Sequence, residues 1–154
     1  MPENKQKQEF KFPSEVIDLP SGGKIYGKDS PLKGGKLEIK YMTAREEDIL
    51  TSQNLIKKGL VIDNLLESLI ITPGVSSEDL ILGDKNAVMV AARILAYGSD
   101  YSAEIIHPDT LEKYKHEFDL SACEFKDLAD GIDYSTNEFE FELPVTKSKI
   151  SYKL

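Results

Sequence analysis

The chain has 154 residues, 40% apolar and 30% charged, with a formal net charge of −8, values that suit one globular domain with a substantial core. This acidic balance, with only two arginines (Arg45 and Arg93), argues against duplex DNA as a partner, because phosphate affinity needs clustered Lys and Arg. No apolar run approaches the ~20 residues of a membrane span, residues 1–15 lack the apolar stretch of a secretory leader, and the lone Cys123 excludes an internal disulfide and suits synthesis in a reducing cytosol.

Residues 1–15 are polar and aperiodic and predict an N-terminal arm, frayed or ordered on a partner through Phe10 and Phe12. A single α+β domain over 16–154 follows: a β-unit (16–42), a helical cluster (43–98) and β-hairpins (101–154). In the β-unit, 16–19 and 24–26 predict short strands about the turn formers Pro20-Ser21-Gly22-Gly23. After turns at Asp29-Ser30-Pro31 and Gly34-Gly35, residues 36–42 alternate polar and apolar, as a half-buried strand does.

At Thr43 the pattern changes to helix. Thr43 and Glu46 have capping-box spacing, and Glu46, Glu47 and Asp48 put three acids in the first turn, where the helix dipole favours them. Lys57-Lys58-Gly59 predicts the end of that helix. Ile62, Leu65, Leu66, Leu69 and Ile70 form the amphipathic stripe of a second helix over 60–71, stopped by Thr72-Pro73-Gly74. Ser76-Ser77-Glu78-Asp79 is a second capping box opening a short turn of helix through Leu82. Asp84 is placed to cap a helix over 85–97 that ends at Gly98 and is apolar on most sides, as a central buried helix would be.

From Tyr101 the period returns to two, with a turn at Pro108-Asp109-Thr110, a strand near 116–120 and a short helix from Ser121 through Ala129. The last hairpin is specified pair by pair. About the loop Pro144-Val145-Thr146-Lys147, one register opposes Glu142 to Lys149 and Glu138 to Lys153 on the polar face. The same register opposes Phe141 to Ile150 and Phe139 to Tyr152 on the face expected to be buried.

Constellations with chemical potential are few. Gly22 to Lys28 has the spacing of a phosphate-binding loop, but Asp29 stands where Ser or Thr is needed and Ser30-Pro31 forbids the following helix; ordinary turns explain it. His107, Asp109, His116 and Cys123 fit no zinc spacing. Cys123 and His116 could be written as nucleophile and base, but no orienting group or oxyanion site accompanies them. The carboxylate pairs Glu46/Glu47 and Asp127/Asp130 read as solvated faces, and the alternating Phe139 and Phe141 as core among glutamates that repel phosphate. These residues predict no enzyme, no cofactor and no metal.

Leu19-Pro20-Ser21, Tyr26-Gly27, Met42 through Leu50, Leu95-Ala96-Tyr97-Gly98-Ser99-Asp100-Tyr101, Phe118-Asp119-Leu120 and Phe139 through Pro144 together resemble the baseplate hub proteins of T-even-type contractile-tailed phages. The resemblance covers most of the chain from about Ile17. It implies a structural or assembly role in the tail baseplate hub, exercised by docking to other hub or tail proteins, with no nucleic acid or membrane partner. The alternative it leaves is a transient tail-assembly chaperone absent from the finished virion. It implies the host cytoplasm during assembly, and the virion baseplate if the protein is retained. Some relatives carry a Cys-Pro-x-Cys knuckle where this chain has Ile106-His107-Pro108-Asp109, so a hairpin of zinc-ribbon-like outline without its thiols is expected. Many relatives continue beyond the point reached by Leu154, and a function carried there does not transfer.

The expected docking residues are Arg45, Glu46 and Glu47 at the strand-to-helix corner, the exposed sides of the helices over 43–58 and 60–71, and Ile150 and Tyr152 on the edge strand 148–154, whose free backbone groups suit pairing with a neighbouring chain.

Overall fold

A computed structural model describes residues 13–126 and 128–154; most of the expected arm, with Phe10 and Phe12, and Asp127 of the Asp127/Asp130 pair lie outside the described residues. Strand β1 (Ser14–Asp18) pairs antiparallel with β2 (Lys36–Lys40), Ser14 opposite Lys40 and Asp18 opposite Lys36. The first strand therefore starts inside the segment assigned to the arm. Residues 24–26 are not a strand: the turn run extends through them, and a 3-10 turn at Pro31–Gly34 completes the connection. The physical cause is close backbone packing at Gly23, which has φ 73° and where a Cβ would lie 2.3 Å from the Lys33 carbonyl oxygen. Gly23→Ala is expected to cost more than about 1 kcal/mol, read as a lowered urea midpoint; an unchanged midpoint would contradict this packing.

The helix stop after residue 70 has a second use. Ile39 bridges Ile70, the Ile71 amide donates to the Glu38 carbonyl at 3.1 Å, and the Thr72 hydroxyl accepts from the Glu38 amide at 2.8 Å. The 70–72 segment thus covers the outer edge of β2. Leu37 and Ile39, on the inward side of that strand, meet Leu66, Leu32, Leu19, Tyr26, Leu80 and Val88 in the main core.

Four helices are described. The expected first helix is two: α1 (Ala44–Thr51) and α2 (Gln53–Lys58), separated by extended Ser52. Thr51 explains the break, since its hydroxyl bonds back to the Glu47 carbonyl at 3.0 Å and Ser and Thr compete with helical backbone bonds. Gly59 ends α2 in the left-handed conformation, as expected. Helix α3 (Val61–Leu69) buries Leu65, Leu66 and Leu69, and Leu65 and Leu69 meet Ala92 in a smaller cluster closed by Met42, Ile49 and Leu50. Ser76 does form a capping box with Asp79, opening a 3-10 turn at Ser77–Asp79.

Helix α4 (Leu82–Tyr97) starts three residues before the expected 85. Asp84 is inside its first turn and fully buried, so it is no cap. Nor is the helix enclosed: apart from Asp84, only Val88 and Ala92 are buried, and Leu82 and Val90 face outward. Its i, i+4 stripe packs on α3 and the β-unit, with Met89, Ala91 and Leu95 half-buried against the core.

Two hairpins follow, β3 (Asp100–Ile106) with β4 (Lys113–Asp119) and β5 (Phe139–Glu142) with β6 (Lys149–Tyr152). Both use a four-residue loop of form Pro-x-Thr-x, whose last residue, Leu111 or Lys147, takes positive φ. The helix expected from Ser121 shrinks to a 3-10 turn at Leu120–Ala122, capped by Asp119, whose carboxylate accepts from the Ser121 amide and hydroxyl. Asp127 and Asp130 fall at the C-terminal end of the expected helix, where its dipole would oppose them. The register of the last hairpin agrees with expectation at every pair, Phe139–Tyr152, Phe141–Ile150 and Glu142–Lys149. Its burial does not: Phe141 is 52%, Ile150 43% and Tyr152 45% exposed. Among the described residues, none after Ala92 is buried.

Candidate docking surface

The strand-to-helix corner is built around Glu46. Its carboxylate takes four hydrogen bonds: from the Lys40 ammonium at 2.6 Å, the Ser68 hydroxyl at 2.5 Å, and the Thr43 amide and hydroxyl at 2.8 and 2.6 Å. These ties join β2, α1 and α3. Burial pushes the Glu46 pKa up, but the bonds from Lys40, Ser68 and Thr43 outweigh it and bring it down to about 2. Glu46 is fully buried and cannot meet a partner, which corrects its assignment as a docking residue. Capping-box spacing showed its amide bond; nothing in the local sequence placed Lys40 and Ser68 around it.

Arg45 and Glu47, on either side, are exposed. Among the described residues Arg45 makes no ion pair, so the local pairing with neighbouring acids that its sequence context suggests is not formed. Glu47 accepts from the Tyr97 hydroxyl at 3.5 Å. Around the joint between α2 and α3, Ile56, Leu60 and Ile62 add apolar surface.

The second buried acid, Asp84, accepts from the Ser21 amide at 3.0 Å, the Ser21 hydroxyl at 2.7 Å and the Tyr26 hydroxyl at 2.5 Å. Tyr26 also accepts from the Ile81 amide at 3.2 Å. Burial, and then the bond to Asp84, raise the Tyr26 pKa well above the usual tyrosine value. This network fastens the turn after β1 to α4. Beside it, a groove of about 540 Å³ runs between α4 and residues 120–126 and 128, with Ala87, Val90, Ile94, Leu120, Phe125 and Leu128 on its walls. Its lining is apolar, and the buried Asp84 carboxylate is engaged by Ser21 and Tyr26.

Arg93 holds the junction to the hairpins. Its guanidinium donates to the Gly98 and Asp100 carbonyls at 3.1 and 3.4 Å and lies 4.8 Å from the Tyr97 ring centre. From there β3–β4 presents Tyr101, Ala103 and Ile105 beside Phe118, His116 and Tyr114 on one face. His116 stands edge-on to Phe118 with 4.5 Å between ring centres. The β5–β6 face carries Phe139, Phe141, Ile150 and Tyr152, with Tyr134 tilted against Phe139. Ile150 and Tyr152 thus lie where a partner can reach them. Residues 99–154 contain thirteen Asp and Glu against six Lys, a net of −7 that leaves the rest of the chain near neutrality.

The remaining chemical candidates are not brought together. His107 closes the β3–β4 loop, its Nδ1 accepting from the Asp109 and Thr110 amides at 3.2 and 3.3 Å. His116 belongs to the aromatic face, while exposed Cys123 lines the groove, and the two share no hydrogen bond. Among the described residues, no group of three His, Cys, Asp or Glu side chains is arranged to hold a metal ion, and no helix is long and apolar enough to cross a membrane. No family model matches the chain, and neither a curated protein nor a solved structure matches it.

Proposed function

We propose that the protein is a structural or assembly component of the tail baseplate hub of a T-even-type contractile-tailed phage, acting by protein–protein docking and carrying out no bond-making step. Its partners are other hub or tail proteins, met in the host cytoplasm during assembly. The observation that carries the docking reading is the division of the chain at Ala92. Among the described residues every buried one lies at or before it, while the hairpins beyond display aromatic faces to solvent. A two-stranded hairpin is marginal alone in water, and a contiguous aromatic face marks an interaction surface. The excess of acid over Lys in this part suits a basic partner, which it would attract over distance. The motifs from Leu19 to Pro144 supply the hub assignment.

Co-expression with the hub proteins of such a phage, followed by affinity purification, is expected to recover a complex, and removal of residues 148–154 is expected to abolish it. Failure to capture any hub protein with the full chain would end the hub reading. Stoichiometric presence in purified tails separates a resident component from a chaperone that leaves.

A further inference from the structure

Antiparallel ladders alternate between residue pairs that exchange hydrogen bonds and pairs that do not. In the last hairpin the Leu143 amide donates to the Ser148 carbonyl at 2.9 Å, so Phe141–Ile150 and Phe139–Tyr152 are the bonded pairs of the register. Glu140 and Glu142 therefore turn their N–H and C=O groups outward along the β5 edge, and Lys149 and Ser151 do so along the β6 edge. The Asn137 side chain holds both backbone groups of Leu154, donating to its carbonyl at 3.1 Å and accepting from its amide at 3.0 Å. This fixes the open end of the ladder.

The two edges have opposite charge. Glu138, Glu140 and Glu142 follow β5; Lys147, Lys149 and Lys153 follow β6. Inside the hairpin Lys153 meets Glu138 at 3.0 Å and Lys147 approaches Glu142 at 3.8 Å. One group of each sign is left over: among the described residues, Glu140 and Lys149 make no ion pair. Each stands on the polar face, and each belongs to a residue whose backbone groups point out of the sheet.

We propose that the β5 edge receives the β6 edge of a second copy of this chain, running antiparallel with Glu140 opposite Lys149 of that copy. Where the two strands overlap in this register the alternation agrees: Phe139 falls opposite Ile150 of the second copy, so the polar faces stay together and the apolar face is extended, while Glu142 lies beside the loop residue Lys147 of that copy. Outward-turned amides on both edges supply the ladder. The contact uses different edges on the two copies, so it leaves a free β5 edge at one end and a free β6 edge at the other, and propagates or closes into a ring. The net acidity of residues 99–154 opposes close approach of two copies and keeps the association weak. This inference does not depend on the hub assignment, which concerns other proteins.

Sedimentation velocity on the purified full chain, with E140K, K149E and the double variant E140K/K149E, tests it. Both substituted positions, Glu140 and Lys149, are exposed, so far-UV circular dichroism is expected to be the same for each variant. The unsubstituted chain is expected to associate with rising concentration, each single reversal to weaken this by about tenfold, and the double variant to restore it. Amide exchange is expected to slow at Glu140 and Lys149 as concentration rises, with Phe141 and Ile150 unchanged. A monomer up to about 1 mM, single reversals without effect, a double variant that does not recover, or protection confined to β3–β4 would each overturn the proposal.

Discussion

Replacing Glu46 by Ala is expected to destabilise the protein by about 3–5 kcal/mol, the range for removing one partner from a buried, hydrogen-bonded ion pair. The carboxylate is the common acceptor for Lys40, Ser68 and both donors of Thr43, so its loss disturbs β2, α1 and α3 together. The urea midpoint should fall without a change in slope, and the melting temperature should drop by about 10 °C. A loss below about 1 kcal/mol would show that the corner rests on the apolar contacts of Leu37, Ile39 and Leu66 alone.

The same site sets a pH dependence. Glu46 titrates near 4.5 when unfolded and at about 2 when folded, so between these values the unfolded chain binds more protons. Its contribution, roughly 3 kcal/mol at 1.4 kcal/mol per unit, is complete above pH 4.5 and is lost as the pH falls towards 2. Asp119 and Asp133 act in the same direction, each held low chiefly by a serine hydroxyl, Ser121 and Ser135. The comparison is therefore with Glu46→Gln, which cannot titrate. The difference in stability between the native chain and this variant should shrink on acidification through that window; a constant difference from pH 6 to about 2.5 would refute the assigned role.

What the sequence made legible was local. Capping-box spacing at Thr43 and Ser76, Gly59 as a helix end, and the pairing of Phe139, Phe141 and Glu142 with the last strand depend on residues close in the chain, and the structure agrees with each. At the two buried acids, expectations failed because a distant segment decided the outcome. Asp84 has the residue type and position of a cap, but it is buried because Ser21 and Tyr26, about sixty residues earlier, turn three donors towards it. Glu46 reads as one of three solvated acids until Lys40 and Ser68 enclose it. The hairpin faces show the opposite error. Period-two alternation says which residues share a face, and Phe141, Ile150 and Tyr152 do share one, but it cannot say whether anything covers that face. Ile150 and Tyr152, expected on a buried face, are therefore exposed, while Glu46, expected at the surface, is buried.

Asp84→Ala should be comparably severe, by about 3 kcal/mol or more, because it strands the Ser21 amide, the Ser21 hydroxyl and the Tyr26 hydroxyl in a buried site, and a buried donor without an acceptor costs about 1–3 kcal/mol. Asp84→Asn separates this cause from lost packing. Its oxygen can still accept from the Ser21 amide. Its amide can donate to the two hydroxyls, which already accept from Gly23 at 3.2 Å and from Ile81 at 3.2 Å and can rotate. The Asn variant should therefore lose no more than about half as much as the Ala variant. Tyr26→Phe should cost about 1–3 kcal/mol, and combined with Asp84→Ala it should fall short of additivity by about 1 kcal/mol or more, since both delete the same bond. Equal losses for Asn and Ala, or full additivity with Tyr26→Phe, would mean that Asp84 acts through the packing of α4, and that the turn after β1 is held by Leu19 and Leu32 without it.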